Sequence, residues 1–284
     1  MESEARVQTI RVGCLGLGNM GSGIAENILR AGFEVAAFDI RPEARNRLSQ
    51  LGAKAAQSPA EAARDAALLT VTVLNDEQVR HVLVGDDGAA SALAPGAVVI
   101  VHSTVSPQTC EQIAAVLAER DVHLIDAPIS GGASAAGDGT LTLMIGGTDE
   151  AVAAATPVLE AISRERFHVG PVGAGQIAKL VNNLMGIVNR VAVGEGLALA
   201  RAAGLREEAM LGVLRASSGN SWQVEHWRDM QAVARDSTTG AEGMAQMAKK
   251  DLALAYRLGD ELGVAMPMAA EAYKNTAALF SATG

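Results

Sequence analysis

The sequence predicts an α/β fold, in which a doubly wound sheet is followed by an all-α domain. Two observations carry this prediction. Short apolar runs alternate with helical patterns from residue 10 to about residue 169, which is typical of a parallel sheet with helices on both faces. After Pro171 the strand pattern stops, and residues 174–202, 206–216, 244–262 and about 267–280 show helical periodicity. We therefore expect two domains, 1–172 and 173–284, joined by a long helix.

The elements of the first domain follow from apolar runs bounded by turn and cap residues. Helix starts have their own signals: Pro42 and Pro107 suit a first helical position, and Ser58-Pro59 precedes Glu61 as in a capping box. The first nine residues are polar, and we expect a frayed tail there. Strands are predicted at 10–15, 34–39, 67–74, 98–101, 123–127, 141–145 and 165–169, and further helices at 20–30, 43–50, 107–120 and 149–162.

The composition excludes several classes of function. A net charge of −9 argues against a nucleic-acid or anionic-membrane partner. No apolar run approaches the ~20 residues of a membrane span, and no signal peptide is evident, so we expect a cytoplasmic protein. Two cysteines, Cys14 and Cys110, do not make a disulfide framework. No metal site is expected, because the histidines lack ligand spacing; they are His81, His102, His123, His168 and His226.

A glycine-rich turn between the first strand and the first helix predicts a dinucleotide site. Its residues are Gly16, Leu17, Gly18, Asn19, Met20 and Gly21. The first glycine permits the tight turn, the second lets the backbone approach a pyrophosphate, and the third lets helix and strand pack closely. The alternative is that these glycines form only a turn.

An acid at the end of the second strand strengthens the dinucleotide hypothesis. The carboxylate of Asp39 could accept hydrogen bonds from ribose hydroxyls and would repel a 2′-phosphate, which favours NAD over NADP. Arg41 lies two residues later and could bind that phosphate instead, so NADP stays possible. Leu74, Asn75 and Thr104 follow later strands, where the ligand crevice of an open sheet lies. Thr104 could equally be an ordinary turn or cap residue.

Two further stretches are candidates for the chemistry. Ser130-Gly131-Gly132 offers a hydroxyl and exposed backbone N–H groups that suit a carboxylate, although a flexible turn explains the same residues. Lys179 and Asn183 lie four residues apart in the long apolar helix, and therefore on one face of it. Alone, Lys179 could be an exposed lysine whose stem covers apolar surface.

Taken together, these motifs resemble those of the β-hydroxyacid dehydrogenases, which include 3-hydroxyisobutyrate dehydrogenase and tartronate semialdehyde reductase. The resemblance spans nearly the whole chain. It identifies residues 16–21 with the cofactor loop, Ser130 to Gly132 with the residues that hold the substrate carboxylate, and Lys179 with the catalytic acid/base. It also implies that Asn183 orients the substrate and that Lys250 lies near the nicotinamide.

The resemblance implies a Rossmann-like first domain and a helical second domain that forms homodimers or homotetramers. The implied activity is hydride transfer between NAD(P) and a small β-hydroxy acid or its semialdehyde. One alternative is an NADPH-dependent reductase of imines, glyoxylate or succinic semialdehyde, although imine reductases usually lack a lysine at the position of Lys179. Another is a non-catalytic nucleotide-binding protein. Trp222 could line the pocket, but we favour a buried anchor.

Overall fold

The computed structural model describes residues 10–236 and 240–281, and it divides into two units after Lys179. The predicted tail, residues 1–9, lies outside the described residues. The strands of the first unit are β1 (Arg11–Leu15), β2 (Glu34–Phe38), β3 (Lys54–Ala55), β4 (Leu68–Val71), β5 (Val98–Val101), β6 (His123–Asp126), β7 (Ile129–Ser130), β8 (Leu141–Gly146) and β9 (Ser163–Gly170). Its helices are α1 (Asn19–Arg30), α2 (Pro42–Gln50), α3 (Pro59–Ala63), α4 (Asp76–Val84), α5 (Pro107–Ala118), α6 (Gly132–Asp138) and α7 (Asp149–Ile162), and α8 (Ala174–Ala202) begins in it.

The strands form one sheet in the order β3-β2-β1-β4-β5-β6-β8-β7, with β9 paired to β8. The strands from β3 to β6 are parallel, which confirms the doubly wound fold class. However, β8 runs antiparallel to β6 and β7, so the expectation of a sheet that is parallel throughout was wrong. The connection from β7 to β8 covers only residues 131–140, which is shorter than the dozen or so residues that a parallel crossover needs.

Helices cover both faces of the sheet. On β5, Val98 and Ile100 belong to one apolar cluster with α1 and α7, whereas Val99 and Val101 belong to another with α4 and α5. Successive side chains of a strand point to opposite faces, so a strand buried on both faces must be apolar throughout. This explains the continuous apolar runs in the sequence. It also leaves the carboxyl ends of the parallel strands as the place for polar side chains.

The second unit is helical. It contains the rest of α8, then α9 (Glu207–Arg215), α10 (Trp222–Glu225), α11 (Trp227–Asp236), α12 (Gly240–Glu261) and α13 (Pro267–Ser281). The predicted helices at 174–202, 206–216, 244–262 and 267–280 are all present, and α10 and α11 were missed. Among the described residues, no helix has the length and apolar character of a membrane span.

Candidate functional site

The glycine loop (residues 16–21) joins β1 to α1, and each glycine has a different reason to lack a side chain. Gly16 has a φ of +87°, and a Cβ there would collide with the carbonyl oxygen of Thr72. A Cβ on Gly21 would collide with the carbonyl oxygen of Gly16. A Cβ on Gly18, by contrast, would meet nothing within 4 Å. Gly16 and Gly21 thus close the turn, while Gly18 leaves open space beside the backbone at the start of α1, as a phosphate ligand requires.

The side chain of Asp39 is hydrogen-bonded to the glycine loop. Its Oδ2 accepts a hydrogen bond from the backbone N–H of Leu17 at 2.7 Å, and its Oδ1 accepts from the backbone and Nε of Arg41 at 2.9 and 3.0 Å. The Arg41 side chain also donates to the carbonyl of Leu17 at 3.1 Å. Burial alone would raise the pKa of Asp39, but the hydrogen bonds from Arg41 and Leu17 outweigh it and hold that pKa below its usual value. Asp39 is therefore a carboxylate at neutral pH.

Leu74, Asn75 and Thr104 lie just beyond the carboxyl ends of β4 and β5. The side-chain oxygen of Asn75 caps α4 by accepting from the backbone of Gln78 at 2.9 Å, so this oxygen already has a partner. The Leu74 side chain is exposed, and Thr104 is half-buried. The Ser103 hydroxyl accepts from the backbone of Val73 at 2.8 Å and joins these two strand ends. Their contact with a cofactor stays a prediction.

The Ser-Gly-Gly loop (residues 130–132) ends β7 and leads into α6. Gly131 and Gly132 have φ values of +134° and +75°, which favour glycine at both positions. A Cβ on Gly131 would lie 2.6 Å from that of Ala135, whereas one on Gly132 would meet nothing within 4 Å. Both glycines are exposed and Ser130 is half-buried. The loop is therefore built into a specific backbone shape, with its polar groups near the surface.

Helix α8 carries Lys179, and the first turn of this helix is held by a buried carboxylate. Asp126, the last residue of β6, accepts from the backbone N–H of Gly173 and of Gln176, both at 2.7 Å. The side chain of Gln176 in turn accepts from the backbone of Val105 at 3.0 Å and donates to the carbonyl of Ser103 at 2.9 Å. These bonds fix the start of α8 to the ends of β5 and β6. Sequence reasoning missed them, although Asp126 stands only four residues before Ser130.

Lys179 itself is buried, with 7% of its surface exposed. It follows Gln176 by three residues and thus lies about one turn beyond the anchored start of α8. Arg190, farther along α8, is buried as well, so the charged side chains of this helix do not all face solvent. A lysine is rarely buried without a specific reason, which favours a functional lysine over an exposed one.

In the helical unit the structure connects Asn183 to Lys250 through the carboxylate of Asp251. The side-chain Nδ2 of Asn183 donates to Oδ2 of Asp251 at 2.7 Å, and Nζ of Lys250 lies 2.9 Å from Oδ1 of the same carboxylate. Asp251 is buried, with 6% of its surface exposed. The sequence pattern drew attention to Lys250 and missed its neighbour. The carboxylate holds the amide and the ammonium in one polar chain.

Trp222 is not a buried anchor, so that expectation was wrong. Its side chain is 57% exposed and stacks on His226, with ring centroids 4.1 Å apart. The buried indole is that of Trp227, which lies under the guanidinium of Arg190 at 5.5 Å. Short α10 places Trp222 at its first position, outside the apolar cluster. Across residues 10–236 and 240–281, no three His, Cys, Asp or Glu side chains are grouped as metal ligands would be.

The sequence of this chain is similar to those of known proteins. Residues 11–170 match the NAD binding domain of 6-phosphogluconate dehydrogenase, and residues 173–284 match the NAD-binding domain of NADP-dependent 3-hydroxyisobutyrate dehydrogenase. An NAD-dependent L-serine dehydrogenase from Pseudomonas aeruginosa is 36% identical over 264 residues, covering 91% of this chain and 88% of that protein. An L-threonate dehydrogenase from Cupriavidus necator is 40% identical over 216 residues, covering 76% and 73%.

Solved structures agree with these relatives. The chain superposes on a Mycobacterium tuberculosis 3-hydroxyisobutyrate dehydrogenase with L-serine, with a TM-score of 0.84 and 29% identity over 96% of this chain and 94% of that one. An imine reductase from Streptomyces aurantiacus is more distant, with a TM-score of 0.67 and 21% identity over 97% of this chain and 98% of that one. That likeness shows a common fold alone.

Proposed function

Because the chain belongs to the β-hydroxyacid dehydrogenase family, we propose that Lys179 is its proton donor and acceptor. The chain is an NAD(P)-dependent dehydrogenase that acts on a hydroxyl group. The observation that carries the proposal is the buried Lys179, which lies about one helical turn after the start of α8 that Asp126 and Gln176 anchor. A proton-transfer group has to be held within hydrogen-bond reach of the reacting atom. An anchored turn meets that requirement better than a free helix end would.

A bound nicotinamide supplies the hydride chemistry. In the oxidative direction, the neutral amine of Lys179 takes the proton of the substrate hydroxyl. In the reductive direction, its ammonium polarises the carbonyl and returns that proton to the oxygen. The hydroxyl of Ser130 and the backbone N–H groups of Gly131 and Gly132 hold the substrate carboxylate, which needs several donors.

In the helical unit, we assign substrate orientation to Asn183 and a cofactor contact to Lys250. Support comes from Asp251, whose bond to the Asn183 nitrogen orients the amide. The amide oxygen accepts from Nδ2 of Asn182 at 3.1 Å and keeps a second lone pair as an acceptor for the substrate. An amide oxygen that accepts hydrogen bonds suits the hydroxyl of the substrate better than it suits the carboxylate of the substrate, because an ionised carboxylate cannot donate. Asn183→Ala should therefore raise the KM of the substrate more than that of the cofactor, because it removes the amide and leaves the Asp251–Lys250 ion pair in place. An equal rise in both KM values would contradict this assignment.

The cofactor proposed is NAD. The support is the charged Asp39, which is held under the glycine loop where the ribose of the adenosine half would lie. A 2′-phosphate would meet this carboxylate, although the half-exposed Arg41 offers NADP some compensation. We expect kcat/KM to favour NAD by at least ~10-fold, about 1.4 kcal/mol of discrimination. Equal use of NADP would show that Arg41 turns away from Asp39 to bind the phosphate.

The substrate class proposed is a small β-hydroxy acid resembling 3-hydroxyisobutyrate. The relatives are named for L-serine, L-threonate and 3-hydroxyisobutyrate, each of which joins a carboxylate to a nearby hydroxyl. The decisive experiment is a panel of such acids, with their semialdehydes and a cyclic imine, run with NAD and with NADP. Turnover of the imine alone would contradict the proposal. Tight NADH binding without turnover of any compound would indicate a nucleotide-binding protein.

We also propose a cytoplasmic homodimer or homotetramer assembled through the helical unit. Exposed apolar side chains in that unit, such as Met185, Leu199 and Met247, support a further surface that covers them. Light scattering on the purified protein should give two or four times the chain mass of 29.2 kDa. A monomer at micromolar concentration would contradict the assembly without affecting the chemistry proposed for Lys179.

A further inference from the structure

Helices α1 and α6 are in unusually close contact, and each one continues from a candidate binding loop. The glycine loop leads into α1 and the Ser-Gly-Gly loop leads into α6. A Cβ on Gly23 of α1 would lie 2.7 Å from the carbonyl carbon of Ala136 and 2.8 Å from the backbone nitrogen of Gly137. The two backbones thus touch at a point where no larger residue fits. A shift of either helix along this contact would be transmitted to the other, because close-packed backbones have little freedom to slide.

Asn27 lies one turn after Gly23 and joins the two helices by hydrogen bonds. Its Nδ2, which has two hydrogens to donate, lies 2.7 Å from the carbonyl oxygen of Ala136, 2.9 Å from that of Gly23 and 3.1 Å from that of Gly137, so one hydrogen is shared between two carbonyls. The side chain is 8% exposed. Arg30 completes the arrangement, since it donates to the Asn27 oxygen and, at 3.1 Å, to the Gly137 carbonyl.

These bonds reach the end of α6 that is opposite the Ser-Gly-Gly loop. The carbonyls of Ala136 and Gly137 belong to the last turn of a helix, where intrahelical partners are lacking. α6 contains only Gly, Ala, Ser and Asp, so it has no large side chain to hold it on the sheet. Besides the burial of Ala136 in the apolar cluster, its placement therefore depends on the backbone contact at Gly23 and on the amide of Asn27.

We propose that Asn27 is a positioning residue that couples the two loops, so that a dinucleotide bound at the glycine loop orders the Ser-Gly-Gly loop for the substrate. The coupling itself depends on α1 and α6. Its effect on substrate binding also rests on the function proposed above for residues 130–132. Asn27 needs no contact with the dinucleotide or with the substrate to act in this way.

The test compares Asn27→Ala with Ser58→Ala by hydrogen exchange and kinetics. Ser58 caps α3 by accepting from the backbone of Glu61 at 3.1 Å, so its loss lowers stability without touching α1 or α6. In the wild type and in S58A, NADH should slow amide exchange in residues 132–139. In N27A this protection should fall by at least ~5-fold while the NADH Kd stays within about 3-fold, and the substrate KM should rise about 5- to 10-fold, the usual size of coupling between sites.

The outcomes separate the coupling from the chemistry. Protection that persists in N27A overturns the coupling, whatever Lys179 does. Lost protection with an unchanged substrate KM supports the coupling and contradicts the carboxylate role of residues 130–132. If N27A fails to fold, Arg30→Ala replaces it, because the Arg30 side chain is 58% exposed and its removal leaves the core intact. R30A should weaken the NADH-induced protection in the same direction, and full protection in R30A would then overturn the coupling.

Discussion

The two units of this chain are built on different principles. In the first, large aliphatic side chains such as Leu15, Ile100 and Ile145 are almost completely buried between sheet and helices. In the helical unit, the apolar side chains form small clusters, and others, such as Leu199 and Met247, are exposed. Area removed from water is the main source of stability. The first unit therefore has an extensive apolar core, while the core of the second is divided into smaller clusters.

Helix α8 begins in the first unit and continues in the helical unit, so it is the best place to test how the two units differ in packing. Its first turn is held by Asp126, and a Cβ on Gly175 there would collide with the carbonyl oxygen of Met144. Further along, a Cβ on Gly196 would meet nothing within 4 Å. The same substitution at the two glycines should therefore have opposite effects.

The largest effect is expected at Lys179, the last residue of the first unit. Lys179→Ala should lower kcat by at least ~100-fold, the usual contribution of general acid–base catalysis, with the NADH Kd within about 3-fold of wild type. Steady-state kinetics and NADH fluorescence titration measure the two quantities. Lys54→Ala is the matched control, because Lys54 is an exposed lysine of the same unit that pairs with Glu61 on the surface. Near-normal turnover in K179A would remove Lys179 from the mechanism.

Gly175→Ala should destabilise the first unit by about 1–3 kcal/mol, the usual cost of overpacking. Besides the collision with Met144, the added Cβ would lie 2.7 Å from the carbonyl oxygen of Asp126, so backbone must move. Thermal unfolding monitored by circular dichroism measures the loss, and kcat should fall with it because the turn carrying Lys179 shifts. An unchanged melting temperature would mean that the start of α8 is looser than these contacts indicate.

Asp126→Asn should lower kcat about 10-fold at pH 7.5, a loss of ~1.4 kcal/mol in the transition state, because an amide cannot accept both N–H bonds. Burial raises the pKa of Asp126 to about 6, although the backbone N–H groups of Gly173 and Gln176 oppose the shift. The wild-type kcat should therefore fall as the pH drops through 6, and this limb should be absent in D126N. An identical pH profile in both proteins would contradict the role of the carboxylate.

Stability should change with pH in the opposite direction. The pKa of Asp126 is higher in the folded state than its ordinary value of 3.8, so the folded state binds the proton more tightly. The stability that Asp126 contributes is fully present below pH 3.8 and is lost as the pH rises through 6. Relative to D126N, the wild type should thus gain stability on acidification while it loses activity. If Asp126 positions Lys179, stability and kcat change in opposite directions on acidification. A purely structural role of Asp126 would not separate the two.

The sequence was sufficient to predict what depends on local pattern. Apolar runs and cap residues located the strands of the first unit except the two-residue β3 and β7, and they located the limits of α8. Glycine spacing predicted a loop whose three glycines have the expected geometry. It was insufficient where a contact joins distant segments. Asp126 and Gln176 meet across 50 positions, and no periodicity encodes such a pair.

Other errors had the same origin. The antiparallel direction of β8 depends on how a short connection closes in space, and the exposure of Trp222 depends on where short α10 lies. Asp251 was overlooked because its role exists only through Asn183, 68 positions earlier. Residue types alone favour a buried tryptophan and a solvated acid. Only the tertiary contacts reverse both preferences.

The smallest expected effect is at Gly196, where the comparison with Gly175 is completed. Gly196 is exposed in the interior of α8, and alanine is the better helix former by about 1 kcal/mol. Gly196→Ala should therefore stabilise the helical unit by ~0.5–1 kcal/mol, measured by thermal unfolding at fixed protein concentration. Gly212→Ala on α9 is the control, because a Cβ there also meets nothing within 4 Å. If G212A gains thermal stability while G196A loses it and also forms a smaller oligomer, the surface at Gly196 is not open. That result would identify this face of α8 as one that a second subunit covers.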